Sequence, residues 1–211
     1  MTYATKNLIC TNRSKVTGSF CLFETGGSAL LGNAWPLAWL VERVPGGGRA
    51  WIHWTEERGF AWARTGSLVP GAIFFSTQTN PIPPVGASQI NLLPLDGTWS
   101  FSSPQAAAPD GPQVVRCGAS LPADTLAVGL TRGGVPVLAV QAQPNVTLAL
   151  QPGRALHLSF GNFRPGEVLD PALMPTSTAL RFPAHETTLC ATLEPDMTWS
   201  TGPATGQERW L

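Results

Sequence analysis

The sequence predicts an all-β protein, either an antiparallel β-sandwich or a jelly roll, with long loops rich in proline and glycine. Short runs of aromatic and β-branched residues recur along nearly the whole chain. The 22 glycines and 20 prolines fall between these runs without any repeat, so they mark turns rather than a collagen or a solenoid. No window of about ten residues or more has the periodicity of a helix.

The apolar runs define the candidate strands in chain order. They cover 7–11, 18–24, 37–44, 50–55, 60–65, 72–77, 89–93, 98–101, 125–130, 135–141, 146–150, 155–160 and 188–193. The Pro/Gly clusters between them are predicted as surface loops at 45–49, 79–86, 102–113 and 170–176. Composition does not change along the chain, so we expect residues 1–211 to form a single β-sandwich domain. Its tail, 200–211, either moves freely or docks on a neighbouring subunit through Trp210.

The most informative segment, from Arg49 to Gly66, predicts a β-hairpin with a turn centred on Glu57 and Arg58. Because side chains alternate along a strand, one face would pack large residues against small ones. That face would hold Ile52, Trp54, Ala61 and Ala63. The other face would be an aromatic and cationic strip that consists of Trp51, His53, Phe60, Trp62 and Arg64.

Three interpretations of this strip follow from its chemistry. It is a second buried layer within the fold, a protein interface, or a ligand groove in which the aromatic rings stack on sugars. Exposure of three large aromatic side chains would need a functional reason. The strip and Trp210 are therefore the candidate binding residues.

The charge balance narrows the class of partner. Only 12% of the residues are charged, against about 25% in a typical soluble protein, and 13 basic residues cancel 13 acidic ones. Weak electrostatic repulsion favours self-association, and the lack of a basic surplus argues against nucleic acid as a partner. No apolar stretch approaches the roughly 18 residues of a membrane-spanning helix. The N-terminal residues do not resemble a secretory signal, so we expect a cytoplasmic protein or one exported without such a signal.

The four cysteines, at positions 10, 21, 117 and 190, have no metal-ligand spacing, so no metal site is predicted. No cofactor is predicted either. Cys10 and Cys21 lie on two candidate strands that a short turn would join. Their geometry would allow a cross-strand disulfide. The alternative is that both are small buried apolar side chains, which a reducing cytosol favours.

The sequence contains no catalytic signature. The GxSxG, GxGxxG and P-loop motifs are absent, and the three histidines are scattered, so no catalytic residue is predicted. An enzyme with its site in a barrel mouth would instead show a deep pocket lined by acidic residues and a histidine. The candidates for such a pocket are Glu167, Asp170, His185 and Glu186.

The hairpin segment and the residues that follow it resemble the RhiA-like proteins. The matching positions are Trp54, Phe60, Trp62, Thr65, Gly66, Leu68, Pro70 and Gly71, and the similarity continues in 141–145 and 160–170. Cys10 and Cys21 stand where the resemblance implies ordinary small or apolar residues, which supports packing over a disulfide. The resemblance implies a soluble microbial protein and no established activity, cofactor or catalytic residue.

These observations predict a non-enzymatic protein that associates with itself or with a surface partner through an aromatic sheet face. An alternative is a lectin-like module in which the same aromatic residues stack on sugar rings. In that module, Glu56, Glu57 and Arg58 would bind the sugar hydroxyls.

Overall fold

The computed structural model describes residues 3–30, 33–83, 87–106, 112–174 and 177–204. Within these ranges the chain forms strands and no helix, which confirms the predicted all-β class. The strands are β1 (Thr5–Asn12), β2 (Gly18–Thr25), β3 (Ser28–Leu30), β4 (Trp35–Pro36), β5 (Leu40–Val44), β6 (Arg49–Thr55), β7 (Arg58–Arg64), β8 (Gln78–Pro81), β9 (Ala87–Leu95), β10 (Thr98–Phe101), β11 (Gln105–Ala106), β12 (Gln113–Cys117), β13 (Leu126–Arg132), β14 (Val135–Gln141), β15 (Thr147–Gln151), β16 (Ala155–Gly161), β17 (Ser177–Leu180), β18 (Thr188–Leu193) and β19 (Trp199–Pro203).

The strands form four sheets. Sheet I has the strand order β19-β18-β1-β6, and sheet II has the order β17-β16-β2-β5. Sheet III has the order β4-β14-β13-β7-β8, and sheet IV has the order β10-β9-β12-β15-β3, with β11 beside β9. Pairing among the described strands is antiparallel except between β1 and β18 and between β9 and β12. Sheets I and II therefore draw on both ends of the chain, and sheets III and IV draw largely on its middle.

Aromatic contacts show which sheets face each other. Phe20 of sheet II lies 6.0 Å from Trp199 of sheet I, centroid to centroid. Phe60 of sheet III lies 6.3 Å from Phe101 of sheet IV in an edge-to-face arrangement. Such pairs stabilise a core by about 0.5–1.5 kcal/mol beyond the apolar area that they bury. Sheet I thus packs on sheet II, and sheet III packs on sheet IV, as in two sandwiches.

The two sandwiches share one apolar core. A single cluster of buried residues includes Leu8 of sheet I, Leu22 of sheet II, Trp62 of sheet III and Ile90 of sheet IV. Fully burying a side chain of this size contributes about 1.5–3 kcal/mol. The predicted sandwich is confirmed at this level.

Two further segments cover the second faces of sheets II and III. The outward side chains at the centre of sheet III are small, and they are Ala61, Ala63, Ala127 and Ala139. Because alanines leave room above the strands, Leu68 and Phe74 of the 66–77 segment pack directly on them. In the same way, Leu169 of the 162–174 segment packs on Cys21 and Phe23 of sheet II.

The predicted hairpin from Arg49 to Gly66 is wrong. Strand β6 pairs with β1 in sheet I, whereas β7 pairs with β13 and β8 in sheet III, so the chain passes between sheets at Glu56 and Glu57. Two-residue hairpin turns favour glycine, asparagine or aspartate, and Glu57-Arg58 supplies none of them. Each strand instead finds a full-length partner from elsewhere in the chain.

The predicted pairing of the first two strands is also wrong, because β1 and β2 belong to sheets I and II. Asn12 holds the connection between them. Its side chain is buried, donates to the carbonyls of Val16 (2.8 Å) and Pro45 (3.1 Å), and accepts from Ser14. All four cysteines lie in the described part of the chain and none forms a disulfide, so Cys10 and Cys21 are buried apolar residues.

Several boundaries differ from those predicted. Residues 72–77 form only one isolated bridge, at Ile73, and the strand follows at β8. The predicted loop at 102–113 contains β11, and β12 begins at its end. Part of the predicted tail, Trp199–Pro203, pairs with β18 as strand β19. Among the described residues, none belongs to a helix long and apolar enough to cross a membrane.

Candidate functional site

Two of the predicted site residues lie together on the outer face of sheet I. Strand β6 stands at one end of this sheet, and its alternation buries Ile52 and Trp54 while it turns Trp51 and His53 outward. The side chain of Trp51 is 51% exposed, which makes it the most exposed described tryptophan. The alternation that the sequence predicted for this strand is therefore confirmed, although its partner strand is different.

The register of sheet I places the outward residues in rows across the four strands. Trp51 lies beside Ile9, Ile9 beside Cys190, and Cys190 beside Gly202. In the two neighbouring rows, the residues on β1, β18 and β19 are polar and uncharged, and the residues on β6 are His53 and Arg49. These rows hold His53, Asn7 and Thr188 on one side, and Arg49, Thr11, Thr192 and Ser200 on the other.

This surface, which we call the sheet I face, has a distinctive chemistry. Its outward strand residues include no carboxylate, and its charged side chain, Arg49, lies on β6 at the end of the sheet. Hydroxyl and amide groups surround a half-exposed indole and the buried Ile9. A sheet face of this composition loses little solvation of charges when a second surface covers it.

Two other predicted site residues are buried. Phe60 is fully buried and Trp62 is 3% exposed, and both belong to the core between sheets III and IV. The Trp62 indole donates to Oε1 of Gln78 at 2.9 Å. The same oxygen accepts from the backbone amide of Phe101 at 2.9 Å, so this contact joins the two sheets. The interpretation of the strip as a second buried layer is correct for Phe60 and Trp62.

The remaining predicted residues do not complete a strip. Arg64 is exposed at the end of β7, in sheet III, on a different sheet from Trp51. Trp210 lies outside the described residues. The predicted surface of five aromatic and cationic side chains on one hairpin is therefore wrong, because its members belong to two sheets.

A charged cluster that the sequence did not reveal lies at the junction between the two sandwiches. Arg132, at the end of β13, forms an ion pair with Glu24 of β2 at 2.7 Å and approaches Glu56 at 3.5 Å. The Arg132 guanidinium also lies 5.6 Å from the centre of the Trp39 ring, and the Trp39 indole donates to the Arg132 carbonyl at 3.3 Å. This cluster fixes sheet II against sheet III.

The environment of Glu24 is unusual for a carboxyl group. Its side chain is 3% exposed. Burial raises the pKa of Glu24 above its ordinary value, and the nearby charge of Arg132 opposes this effect only in part. A carboxyl group in this setting retains a proton to higher pH than an exposed glutamate does.

The residues that would have lined an enzyme pocket serve local roles. Glu167 accepts from the backbone amide of Arg164 at 3.0 Å, and Asp170 accepts from that of Ala172 at 2.9 Å, so both stabilise turns of the 162–174 segment. His185 is exposed in a turn with a positive φ of 69°, and Glu186 is its half-buried neighbour.

Burial perturbs three thiols and one histidine of the described chain. Burial raises the pKa of the Cys10 and Cys21 thiols well above the ordinary range, and it raises the pKa of Cys117 to about 11. His157 stacks on Phe23 with ring centroids 5.5 Å apart, and burial lowers its pKa. Within the described ranges, no three His, Cys, Asp or Glu side chains come together to hold a metal ion.

Sequence reasoning missed the junction cluster for a physical reason. Its members come from β2, β13 and the loop after β6, which lie far apart in the chain, so no local motif could indicate it. The one available signal was Glu24 itself, a charge at the end of the apolar run GSFCLF. Phe75 was also missed as a surface residue, and it is 84% exposed on the 66–77 segment.

Comparison with known proteins decides the family. The family model of RhiA matches residues 3–203. This chain belongs to the RhiA family. It is similar to Protein RhiA of Rhizobium leguminosarum bv. viciae, with 24% identity over 201 residues that cover 94% of this chain and 86% of the relative. No solved structure matches the chain.

The residues that carried the resemblance to RhiA-like proteins have structural roles. Gln141 accepts from the backbone amide of Leu68 at 2.7 Å and donates to the carbonyls of Gly66 (3.2 Å) and Leu126 (2.8 Å). It thereby fixes the start of the 66–77 segment on sheet III. Gly166 has a positive φ of 74° and accepts from the backbone amide of Phe74, which joins the two covering segments.

Proposed function

We propose that this RhiA-family protein acts without catalysis, by associating with a second copy of itself through the sheet I face. The observation that carries the proposal is the half-exposed Trp51 on a sheet face whose outward strand residues include no carboxylate. A pair of such faces would bury two indoles. The ionisable groups to desolvate would include Arg49 and His53 on β6, and Glu194, whose carboxylate accepts from the Ser200 hydroxyl at 3.1 Å.

The overall charge supports the same proposal. The formal net charge is zero, so long-range repulsion between copies is weak. The 66–77 and 162–174 segments cover the outer faces of sheets III and II. On sheet I, in contrast, Trp51, His53 and Ser200 are exposed. A two-fold axis near the centre of the sheet I face would bring the same rows of residues together from both copies.

The test uses Thr192→Lys and Trp51→Ala in sedimentation velocity over a concentration series. Thr192 lies in the outward row of the inner strand β18, so a lysine there places a charge in the middle of the interface without entering the core. We expect Thr192→Lys to shift the protein to monomer, and Trp51→Ala to weaken association by about tenfold or more, as loss of an interface tryptophan does.

Phe75→Ala is the matched control, because it removes an aromatic side chain that is exposed on a different surface. It should leave association unchanged. If Phe75→Ala dissociates the assembly while Thr192→Lys does not, the interface lies on the covering segments and the proposal is wrong.

A second candidate function is carbohydrate binding at the same face. The observation that favours it is the same indole, which has the hydroxyl group of Thr11 and the amide group of Asn7 diagonally across from it on β1 and could stack on a sugar ring. A glycan array with wild type and Trp51→Ala separates the two functions. Glycan binding that depends on Trp51 in a monomeric protein would favour the lectin-like function over self-association.

A further inference from the structure

Two adjoining cavities lie at the junction between the sandwiches. The first, of about 410 Å³, opens between β6, β16 and β17, and the second, of about 450 Å³, opens beside β12 and the turn after β15. Arg132 and Arg154 line both cavities. Sites for small molecules occur preferentially where two packed units meet, and these volumes are within the usual range for such sites.

The cavity walls concentrate positive charge. Their basic side chains are Lys6, Arg58, Arg132, Arg154 and Arg181, in a chain that has 13 basic residues in total and no net charge. Two carboxylates face this set, Glu56 in the first cavity and Glu24 behind Arg132. Among the described residues, the cluster therefore carries an excess of at least three positive charges.

Arg132 is the member of this set that forms ion pairs with these carboxylates. It pairs with both Glu24 and Glu56, whereas Arg58, Arg154 and Arg181 form no salt bridge among the described residues. Several cations held around one space repel each other, and a bound anion would offset that repulsion. Guanidinium groups are also suited to bidentate binding of a carboxylate or a phosphate.

The backbone holds these side chains in place. The amide of Arg154 donates to the Thr25 carbonyl at 3.0 Å, which ties the turn after β15 to the end of β2. The ammonium group of Lys6 donates to the Glu186 carbonyl at 2.8 Å and lies 4.7 Å from the centre of the Phe182 ring. The position of Lys6 is therefore fixed before any ligand arrives.

The first cavity also has an apolar wall. Trp54 and Phe182 meet edge to face with centroids 5.9 Å apart, and Leu156 and Leu180 lie directly opposite each other on β16 and β17. Among the described residues that line the second cavity there is no aromatic side chain or leucine, and Gln113 and Gln151 lie there beside the arginines. An apolar surface next to the shared arginines suits a ligand that has one charged end and one apolar end.

We infer that this junction binds a small organic anion, in which a carboxylate or a phosphate is attached to an aromatic or aliphatic body. The charged group lies beside Arg154, which lines both cavities, and Arg181, which lines the first. The apolar body lies in the first cavity against Phe182 and Leu156. This site is separate from the sheet I face.

The test is isothermal titration calorimetry of the full chain with phenyl phosphate. Inorganic phosphate serves as the probe without an apolar body, and benzyl alcohol serves as the probe without a charge. The variants are Arg154→Gln, Arg181→Gln and the double variant, which change exposed side chains and leave the buried Arg132 pair intact. Arg116→Gln, an exposed arginine of β12 on the outer face of sheet IV, is the matched control.

We expect phenyl phosphate to bind more tightly than either partial probe. Each single variant should weaken binding by about tenfold or more, which is the loss expected for one charge-assisted hydrogen bond, and the double variant should abolish it. Arg116→Gln should bind as wild type does. Three results would each overturn the inference: no heat with phenyl phosphate, binding that survives the double variant, or equal affinity for phenyl phosphate and inorganic phosphate.

Discussion

Trp51 and Trp62 lie on strands that are neighbours in the chain, but their environments are opposite. Trp62 is buried between sheets III and IV and bonds to Gln78, whereas Trp51 is half-exposed on sheet I. Both positions follow from simple alternation along a strand. Alternation separates the two faces of a strand, but it does not show which face is buried, because the covering layer comes from other parts of the chain.

We expect Trp62→Ala to lower the free energy of unfolding by about 3–5 kcal/mol, because it opens a large cavity in the core. It also leaves Oε1 of Gln78 without the indole donor. Trp51→Ala should change the free energy of unfolding of the monomer by about 0.5 kcal/mol or less. Urea unfolding followed by far-ultraviolet circular dichroism, at a concentration where the protein is monomeric, measures both. Equal losses for the two variants would contradict the assignment of Trp62 to the core and Trp51 to the surface.

The raised pKa of Glu24 makes stability depend on pH in a defined direction. Burial favours the protonated carboxyl in the folded state, against an ordinary pKa of 4.5. The contribution of Glu24 to stability is therefore fully present below that ordinary value and is lost as the pH rises through the raised value. Ionisation of Glu24 at higher pH strengthens its attraction to Arg132 but leaves a charge away from water.

Comparison of wild type with Glu24→Gln tests this direction. The free energy of unfolding of wild type, relative to that of Glu24→Gln, should fall as the pH rises from about 4 to about 8. The same difference measured for Glu42→Gln, which changes an exposed glutamate of β5, should depend less on pH. If the free energy of unfolding of wild type relative to Glu24→Gln stays constant over this range, or rises with pH, burial does not raise the pKa of Glu24.

At the scale of elements, the covering segments 66–77 and 162–174 hold each other by backbone contacts. Phe74 donates to the Gly166 carbonyl at 2.8 Å, Val168 donates to the Ala72 carbonyl at 2.8 Å, and Ile73 bridges to Glu167. A Cβ atom at Gly166 would lie 2.6 Å from the Phe74 carbonyl oxygen, and its φ of 74° disfavours other residues. Glycine at this position permits the two segments to meet.

Gly166→Ala should therefore destabilise the protein by about 1–3 kcal/mol through strain and a lost backbone contact. We expect hydrogen exchange at the amides of Phe74 and Val168 to be faster in this variant than in wild type. Gly202→Ala is the matched control, because a Cβ atom there meets nothing within 4 Å. If exchange at Phe74 and Val168 stays as slow in Gly166→Ala as in wild type, the close approach at Gly166 does not hold the two segments together.

The same scale shows what the sequence could and could not predict about the fold. Long strands such as β6, β13 and β14 were predictable, because alternation and turn residues are local properties. Pairing was not predictable for β6 and β7, because a period of two fixes which residues share a face but not which strand lies beside them. The two-residue strands β4 and β11 were missed because they are too short to show a pattern.

At the scale of the whole molecule, two sandwiches share one core and leave the sheet I face and the junction cavities open. The junction cavities were beyond prediction, because their basic residues come from separate segments and meet only when the four sheets assemble. Part of the predicted strip could be derived from the sequence, since Trp51 and His53 both lie on the sheet I face. Low charge and zero net charge are properties of composition that favour association, and the makeup of the sheet I face is consistent with that expectation.

The most direct measurement is the solution mass of the purified wild-type chain by light scattering over a concentration series. Self-association through the sheet I face predicts a mass that rises with concentration to at least twice the 22.3 kDa of one chain. The same series with Thr192→Lys should remain at the mass of one chain. A wild-type mass that stays at one chain over the whole series would contradict self-association.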